Sequence, residues 1–524
     1  MQRKKLPIGI STFAKIRGED YYYVDKTELA LRLIDAGSYY FLSRPRRFGK
    51  SLLLDTLAEL FQGNLPLFQG LYAERCWDWS IPYPVIRLSF GGGVMRDRGE
   101  LDAKFRELLD INQASLRIIC RQPTAPGCFA ELIRAAEQQY GQRVVILVDE
   151  YDKPILDNLS DPELARQMRE GLRNLYSVIK DHDRHIRFVF ITGVSKFSKV
   201  SLFSGLNNLQ DITIDQRYSA LCGYTEADLD LVFAPELEGL DRQQIKDWYN
   251  GYNWTGATVY NPFDLLLLFD SRLFRSYWFE TGTPTFLIEV LTQRHTFSPR
   301  LNAWRATEAL LSRFDVDDMS TEALLWQTGY LTFHGQRQLG ARIEYTLGYP
   351  NLEVESALNE ALLKGLYGDA SEASEASSRL YDTLMSGDFD QLRQHFVSLY
   401  ASIPHDWFRN NPVTDYEGYW ASVFYSHFAA LGLEIRLEDA TNHGRLDMAL
   451  LFNAQVYLFE FKVVELVPEG RALEQLKARN YAEKYQALNQ PIHLIGVEFS
   501  KQERNLVGFE VISVASANNG SSTN

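Results

Sequence analysis

Tyr39-Tyr40-Phe41-Leu42-Ser43-Arg44-Pro45-Arg46-Arg47-Phe48-Gly49-Lys50-Ser51 is the stretch on which the fold turns. Tyr39 to Ser43 reads as a short apolar strand, and Lys50 to Phe61 has helical periodicity. A strand that passes through an Arg/Gly turn into a helix, with Gly49-Lys50-Ser51 at the junction, is the context of a phosphate-binding loop. The usual pattern is GxxxxGK[ST], and here Arg44 stands in place of the leading Gly. Backbone N–H groups at such a helix start point at phosphate. Lys50 would meet the β and γ oxygens, and the Ser51 hydroxyl would hold magnesium. Arg44, Arg46 and Arg47 add positive charge: residues 1–60 hold eleven Lys/Arg against seven Asp/Glu, in a chain of net charge −14. A basic strand-to-helix turn without a ligand is the other reading.

Working outward, Val85 to Phe90, Arg143 to Val148 and Arg187 to Thr192 read as further apolar strands. Helical stretches lie between them, around 101–118, 128–140 and 162–181. Strands buried on both faces and separated by helices predict a parallel sheet covered by helices. This α/β domain is expected over residues 1–230. The run Val144-Val145-Ile146-Leu147-Val148-Asp149-Glu150 supplies the second half of a nucleotide site. Asp149, at a strand end, would order magnesium. Glu150 would polarise the attacking water, as phosphoryl transfer requires. Asp152 is a candidate for either task. Thr192, at the end of the next strand, is a candidate γ-phosphate sensor, with Ser195 as a weaker one. Tyr21 to Lys26 either sits near the nucleotide base or is simply core and surface.

From about 225 the pattern becomes mostly helical, opening with a Thr225 cap and an acid three residues later. This middle domain is placed at 231–370. Gly368 to Ser378 reads as a linker or an exposed helix start. A third unit, 371–515, has a helix around 417–431, a strand pair around 446–463, a helix around 470–487 and two more strands. A flexible tail, 516–524, closes the chain.

Gly444-Arg445-Leu446-Asp447 opens the first strand of that pair, and Val456-Tyr457-Leu458-Phe459-Glu460-Phe461-Lys462 forms the second. A tight turn at Asn453-Ala454 puts Asp447 opposite Glu460; moving the turn by one residue puts it opposite Lys462. Either register keeps the three side chains on one face. Burying them unpaired would be costly, so metal coordination is one explanation and a salt-bridged sheet face is the other. Under the first, Asp447 and Glu460 would hold one or two magnesium ions for phosphodiester hydrolysis. Lys462 would orient water or stabilise charge, and Glu417, at a helix start, would reach the same metal. Gln475 is a candidate contact to water or to a nucleic-acid phosphate. Tyr481 and Tyr485, four apart, would either stack on a base or pack on the sheet. His443 reads as a surface residue.

The 524 residues, 45% of them hydrophobic and 23% charged, are enough for several cores and argue against a mainly disordered chain. The acidic balance disfavours a general basic nucleic-acid binder. Four cysteines without zinc-knuckle or CxxC spacing disfavour a disulfide scaffold or a structural zinc site. No apolar run approaches the ~20 residues that span a bilayer. With no signal-peptide core at the start, the expected location is the cytoplasm.

Two resemblances follow from these motifs. Leu6-Pro7-Ile8-Gly9-Ile10-Ser11, Tyr22-Tyr23-Val24-Asp25-Lys26-Thr27, Arg44 to Ser51 and Leu147 to Pro154 resemble the AAA-ATPase-like domain of a group of bacterial and archaeal proteins. In that group Arg-Pro-Arg-Arg precedes the Gly-Lys-Ser. Tyr260-Asn261-Pro262, Thr281 to Pro284 and Pro350-Asn351 also look like it. The last domain resembles the PD-(D/E)xK nuclease-like domain that usually accompanies it. Asp447, Glu460 and Lys462 fall on the nuclease pattern, with Glu417 and Gln475 on flanking helices. The resemblance implies an N-terminal P-loop (AAA-like) parallel sheet, a helical middle region and a C-terminal restriction-endonuclease-like α/β domain. It implies ATP and Mg2+ as cofactors and DNA or RNA as partner.

Three functions are therefore expected to compete. One is an ATP-binding and hydrolysing protein whose nucleotide state controls a metal-dependent nuclease. Another is an ATP-dependent switch whose nuclease-like fold is a silent binding surface. The third is a nucleotide-binding regulator that barely turns over, which turnover dependent on Glu150 would exclude. A homo-oligomer in which a neighbouring copy supplies an arginine is a further expectation. Arg217 is the candidate, with a plain surface arginine as the alternative.

Overall fold

The computed structural model describes residues 3–196, 206, 208–282, 304–311, 314–316, 318–367, 370–402, 417–441 and 444–514. These fall into two compact units. One carries the described residues up to Gly282 and from Trp304 to Asn351; the other carries those from Leu352 onward.

The first unit is built on a five-stranded sheet: β1 (Tyr39–Ser43), β2 (Val85–Ser89), β3 (Val144–Asp149), β4 (Ile186–Gly193) and β5 (Gln210–Asp211). The order is β2-β3-β4-β1-β5, and every pairing is parallel. Strands β1 and β3 are buried along almost their whole length, which is why they read as unbroken apolar runs. The helices Arg98–Leu116, Ala125–Tyr140 and Pro162–Asp181 match those expected, and the caps Asp97, Thr124 and Asp161 each accept a backbone N–H of the first turn. The described residues from 231 to 351 lie in this same unit. Thr225 and Asp228 form the expected reciprocal cap on Glu226–Val232. Tyr22 and Val24 pack with Leu229, Phe233, Ile245, Leu265 and Phe269, so one apolar core joins the first residues of the chain to these helices. The middle region is helical but also holds an antiparallel sheet of β6 (Trp304–Thr307), β9 (Thr332–Leu339) and β10 (Arg342–Gly348), in the order β6-β10-β9. The two-residue strands β7 (Phe314–Asp315) and β8 (Asp318–Met319) pair with each other. At Gly251 (φ +102°) a Cβ would meet the Pro350 carbonyl oxygen at 1.8 Å, so no larger residue fits there.

The second unit has β11 (Glu434–Thr441), β12 (Gly444–Phe452), β13 (Gln455–Val464), β14 (Ile492–Ser500) and β15 (Asn505–Val514), adjacent in that order. Only β13 and β14 run parallel, and the helix Arg471–Ala478 crosses between them. Phe459 and Phe461 face the helix Glu417–Ala430 through Phe424, at 5.3 and 5.2 Å. Ala449, Val456 and Leu458 face Leu473, Leu476 and Tyr481 on the other side. The stretch read as a linker or a helix start is described from Ala370, where it is the helix Ala370–Ser386. His443 and the tail from residue 515 lie outside the described residues.

One close approach fixes the crossover. A Cβ on Gly496 would stand 2.4 Å from the Leu473 backbone nitrogen and 2.8 Å from its Cβ. Gly496→Ala is expected to force the helix off the sheet at a cost of about 1–3 kcal/mol. Urea unfolding of the variant beside the parent measures this; an unchanged midpoint would contradict it.

Candidate functional site

The carboxyl ends of β1, β3 and β4 lie side by side. Ser43 is in register with Gly193, and Leu42 with Thr192. The crevice outside such strand ends is where open parallel sheets bind ligands. A cleft of about 620 Å³ opens here, lined by Arg46, Arg47, Gly49, Lys50, Ser51 and Glu150 among others.

Gly49, in the left-handed conformation (φ +88°), caps the helix Lys50–Phe61. Lys50 is buried, and its Nζ donates to the Arg44 and Pro45 carbonyls at 2.9 and 2.8 Å. Burial holds its ammonium below the ordinary lysine range, opposed by Asp149 and Glu150. An amine tied only to carbonyls of its own loop, at a helix start beside a cleft, fits a nucleotide triphosphate: phosphate oxygens can replace those carbonyls.

Arg44 does not face the cleft. Its side chain is fully buried, donating to the carbonyls of Ser43, Thr213 and Tyr218, with the guanidinium 4.0 Å from the Trp254 ring. Phe48 is buried against Tyr252 and Trp254, and Trp278 Nε1 donates to the Arg46 carbonyl at 3.0 Å. Arg47 is exposed, with φ +68° and its guanidinium 4.8 Å from the Phe263 ring.

On the acidic side, Glu150 adopts φ +50° and its N–H donates to Asp149 Oδ1 at 3.1 Å. Burial and the neighbouring Asp149 raise the Glu150 carboxyl above the ordinary range, while Lys50 opposes the shift. Asp149 and Thr192 do not line the cleft. Thr192 is fully buried, and its Oγ1 has no hydrogen-bond partner among the described residues. Asp152 lines the cleft, but its carboxylate is engaged by the turn after β4, accepting the Val194 and Ser195 N–H groups at 3.1 and 2.6 Å. Tyr22, Tyr23, Val24 and Lys26 do line the cleft, as do Pro7, Gly9 and Ile10. Arg217 is exposed, with its guanidinium on its own Asp215 at 2.6 Å.

In the second unit, Phe452 pairs with Gln455 and Met448 with Phe459, so the first of the two expected registers is present. Asn453 and Ala454 both have positive φ, as a two-residue hairpin turn demands. Regular pairing stops at Met448, and the next rung is a side chain: Asp447 Oδ2 accepts the Phe461 N–H at 2.8 Å. Glu460 is buried. Its Oε1 accepts from Lys462 at 3.2 Å and from Gln475 Nε2. Glu417 opens its helix, but its side chain lies outside the described residues. Among the described residues no group of three His, Cys, Asp or Glu side chains is placed to hold a metal ion, so Asp447 and Glu460 do not complete a metal centre by themselves.

Tyr481 and Tyr485 are buried, with hydroxyls on the Arg445 carbonyl (2.8 Å) and Asp439 (2.6 Å), which settles them as packing residues. Sequence reasoning missed Glu498. It is buried and in register with Lys462, and it accepts the N–H groups of Glu469, Gly470 and Ala472 at 2.5, 3.1 and 3.3 Å. It thereby anchors the start of the helix that carries Gln475. A lone acid in the apolar run 492–499 is the signal that marks it.

The class these two sites define agrees with family comparisons. The family described as predicted AAA-ATPase (AAA-ATPase-like) matches residues 7–203, and the PD-(D/E)XK nuclease superfamily matches residues 415–509. A protein of Azotobacter chroococcum mcd 1, described as "Uncharacterized protein in vnfD 5'region", is 64% identical over 515 residues, 98% of this chain and 100% of that protein. The chain belongs to the same family as that protein, one joining an AAA-ATPase-like domain to a PD-(D/E)XK nuclease-superfamily domain. No described helix is long and apolar enough to cross a membrane.

Proposed function

We propose that the chain binds and hydrolyses ATP in its first unit, and that nucleotide state regulates a phosphodiesterase activity in its second. The observation that carries the first part is the buried Lys50 ammonium, held by loop carbonyls at the mouth of the cleft. Lys50 would take the β and γ oxygens, with Arg46, Arg47 and the Gly49 turn around them. Ser51 and Asp149 would hold magnesium, which when bound neutralises phosphate charge. Glu150 would accept the proton of the attacking water, and its raised affinity for protons suits a base. Thr192 would sense the γ-phosphate.

In the second unit Asp447, Glu460 and Glu417 would hold a metal. Lys462 would stabilise charge on the phosphate, and Gln475 would position Glu460. Domain boundaries near 230, 370 and 515, DNA or RNA as substrate, a cytoplasmic location and a homo-oligomer completed by Arg217 belong to this proposal.

A second reading, an ATP-dependent switch with a silent nuclease-like fold, is favoured by one observation. Lys462 and Gln475 already engage Glu460 in a unit with 13 Lys/Arg against 24 Asp/Glu from Leu352 on. Phosphodiester binding needs a basic path.

The test is a panel of labelled single- and double-stranded DNA and RNA, with magnesium or manganese, with and without ATP. A titration with a fluorescent ATP analogue runs beside it. Metal-dependent cutting that changes with ATP is the expected result. Nucleotide binding without any cutting would move the assignment to the switch.

A further inference from the structure

The acidic turn after β3 does more than present Glu150. Tyr151 N–H donates to the Thr192 carbonyl at 3.2 Å, and Tyr151 Oη donates to the Ser195 carbonyl at 3.0 Å. The Asp152 carboxylate is 1% exposed and receives the Val194 N–H, the Ser195 N–H and the Ser195 hydroxyl. Three donors converge on one buried carboxyl and favour its charged form, while burial, the larger effect, pushes its pKa up. The fit is tight from the other side as well. A Cβ on Gly193 would stand 2.4 Å from Asp152 Oδ1 and 2.6 Å from the Tyr151 ring. The exit of β4, just after Thr192, is thus built upon the exit of β3, just after Glu150. Two residues along from Glu150, the Asp152 carboxylate, together with Tyr151, ties the two strand ends.

We infer that Asp152 is a positioning residue for nucleotide hydrolysis: its carboxylate fixes the spacing between Glu150 and Thr192 and contacts neither phosphate nor metal. This rests on the ATPase reading above. The chemistry of the site explains why spacing matters, because a displacement of about 1 Å at a catalytic group can cost about 100-fold in rate. The Asp152 hydrogen bonds end on Val194 and Ser195 and not on Gly49, Lys50 or Ser51, although Asp152 lines the same cleft and its charge favours the Lys50 ammonium.

The experiment compares the full-length parent with Asp152→Asn, Asp152→Glu and Gly193→Ala. Steady-state ATP turnover and equilibrium binding of a fluorescent ATP analogue are measured for each. Asp152→Asn keeps the shape but turns an amide toward backbone N–H donors. It is expected to lower kcat by roughly 10- to 100-fold while changing binding by less than about threefold. Gly193→Ala pushes on the same carboxylate from the opposite side and is expected to reproduce the split. Asp152→Glu keeps the charge and is expected to recover part of the rate. Unchanged kcat in Asp152→Asn overturns the inference. So does a parallel loss of binding and turnover in both Asp152→Asn and Gly193→Ala, which is what a merely structural role would give. A parent that binds nucleotide without turning it over overturns the ATPase reading together with the inference, and is recognised by its own zero rate.

Discussion

Lys50→Ala is expected to weaken ATP binding and to abolish hydrolysis. Hydrogen bonds to charged groups contribute about 1.5–3 kcal/mol each, which is roughly 10- to 150-fold in affinity. The variant also reports on the loop itself. In the parent, the Lys50 ammonium satisfies the buried carbonyls of Arg44 and Pro45. Its removal leaves them without that donor, at an expected cost of about 1–3 kcal/mol to the free protein. Two thermal-unfolding series separate the effects. Without ATP, the variant melts below the parent. With ATP, the parent's midpoint rises because ligand binds only the folded state, while the variant's midpoint scarcely moves. A variant that keeps the parent's ATP-dependent rise would remove Lys50 from the site and leave the loop as a basic turn.

Glu460→Gln carries the second large effect. If the second unit is a phosphodiesterase, loss of this carboxylate is expected to reduce cleavage by about three orders of magnitude, ~4 kcal/mol of barrier. The choice of Gln matters because Glu460 is only 1% exposed. An amide oxygen can still accept from Lys462 and Gln475, so the fold is retained while the charge is lost. Cleavage by the variant equal to that of the parent would eliminate Glu460 from the chemistry. Circular dichroism of both proteins establishes that any lost activity is not lost structure.

How much of this is legible in the sequence depends on whether a residue's surroundings are local. The strands at 39–43, 144–149 and 186–193 are legible because burial on both faces writes them as apolar runs. The hairpin register is legible because Asn453-Ala454 fixes the turn and period two does the rest. Strand β11 is not, because Glu434–Thr441 offers few large apolar residues, Ile435 and Leu437, among charged ones. Strand β9 is exposed beyond Phe333, and in β10 the buried alternation is confined to Tyr345 and Leu347, too short to mark a strand. The candidate residues Lys50, Glu150 and Glu460 are found by motif. The parts played by Asp152, Glu498 and Arg44 are not, because each depends on partners supplied by another strand or loop. Asp152 shows this best. Beside Asp149 and Glu150 in the chain it looks like a third ligand-facing acid, and only the neighbouring strand reveals that its charge is spoken for by backbone N–H groups.

Arg44 has one more consequence. Its guanidinium is buried within the turn after β1, among carbonyl dipoles and against an indole face, and burial lowers its pKa only to about 10. At neutral pH it is a permanent cation shielded from salt, because exposed charges are screened within about 8–10 Å and buried ones much less. If the cleft takes a nucleotide, as proposed, the polyanion would meet a steady attractive field from a buried side chain that does not line the cleft. The leading glycine of the common loop has no such charge. The substitution that makes the motif look incomplete supplies a built-in counter-charge.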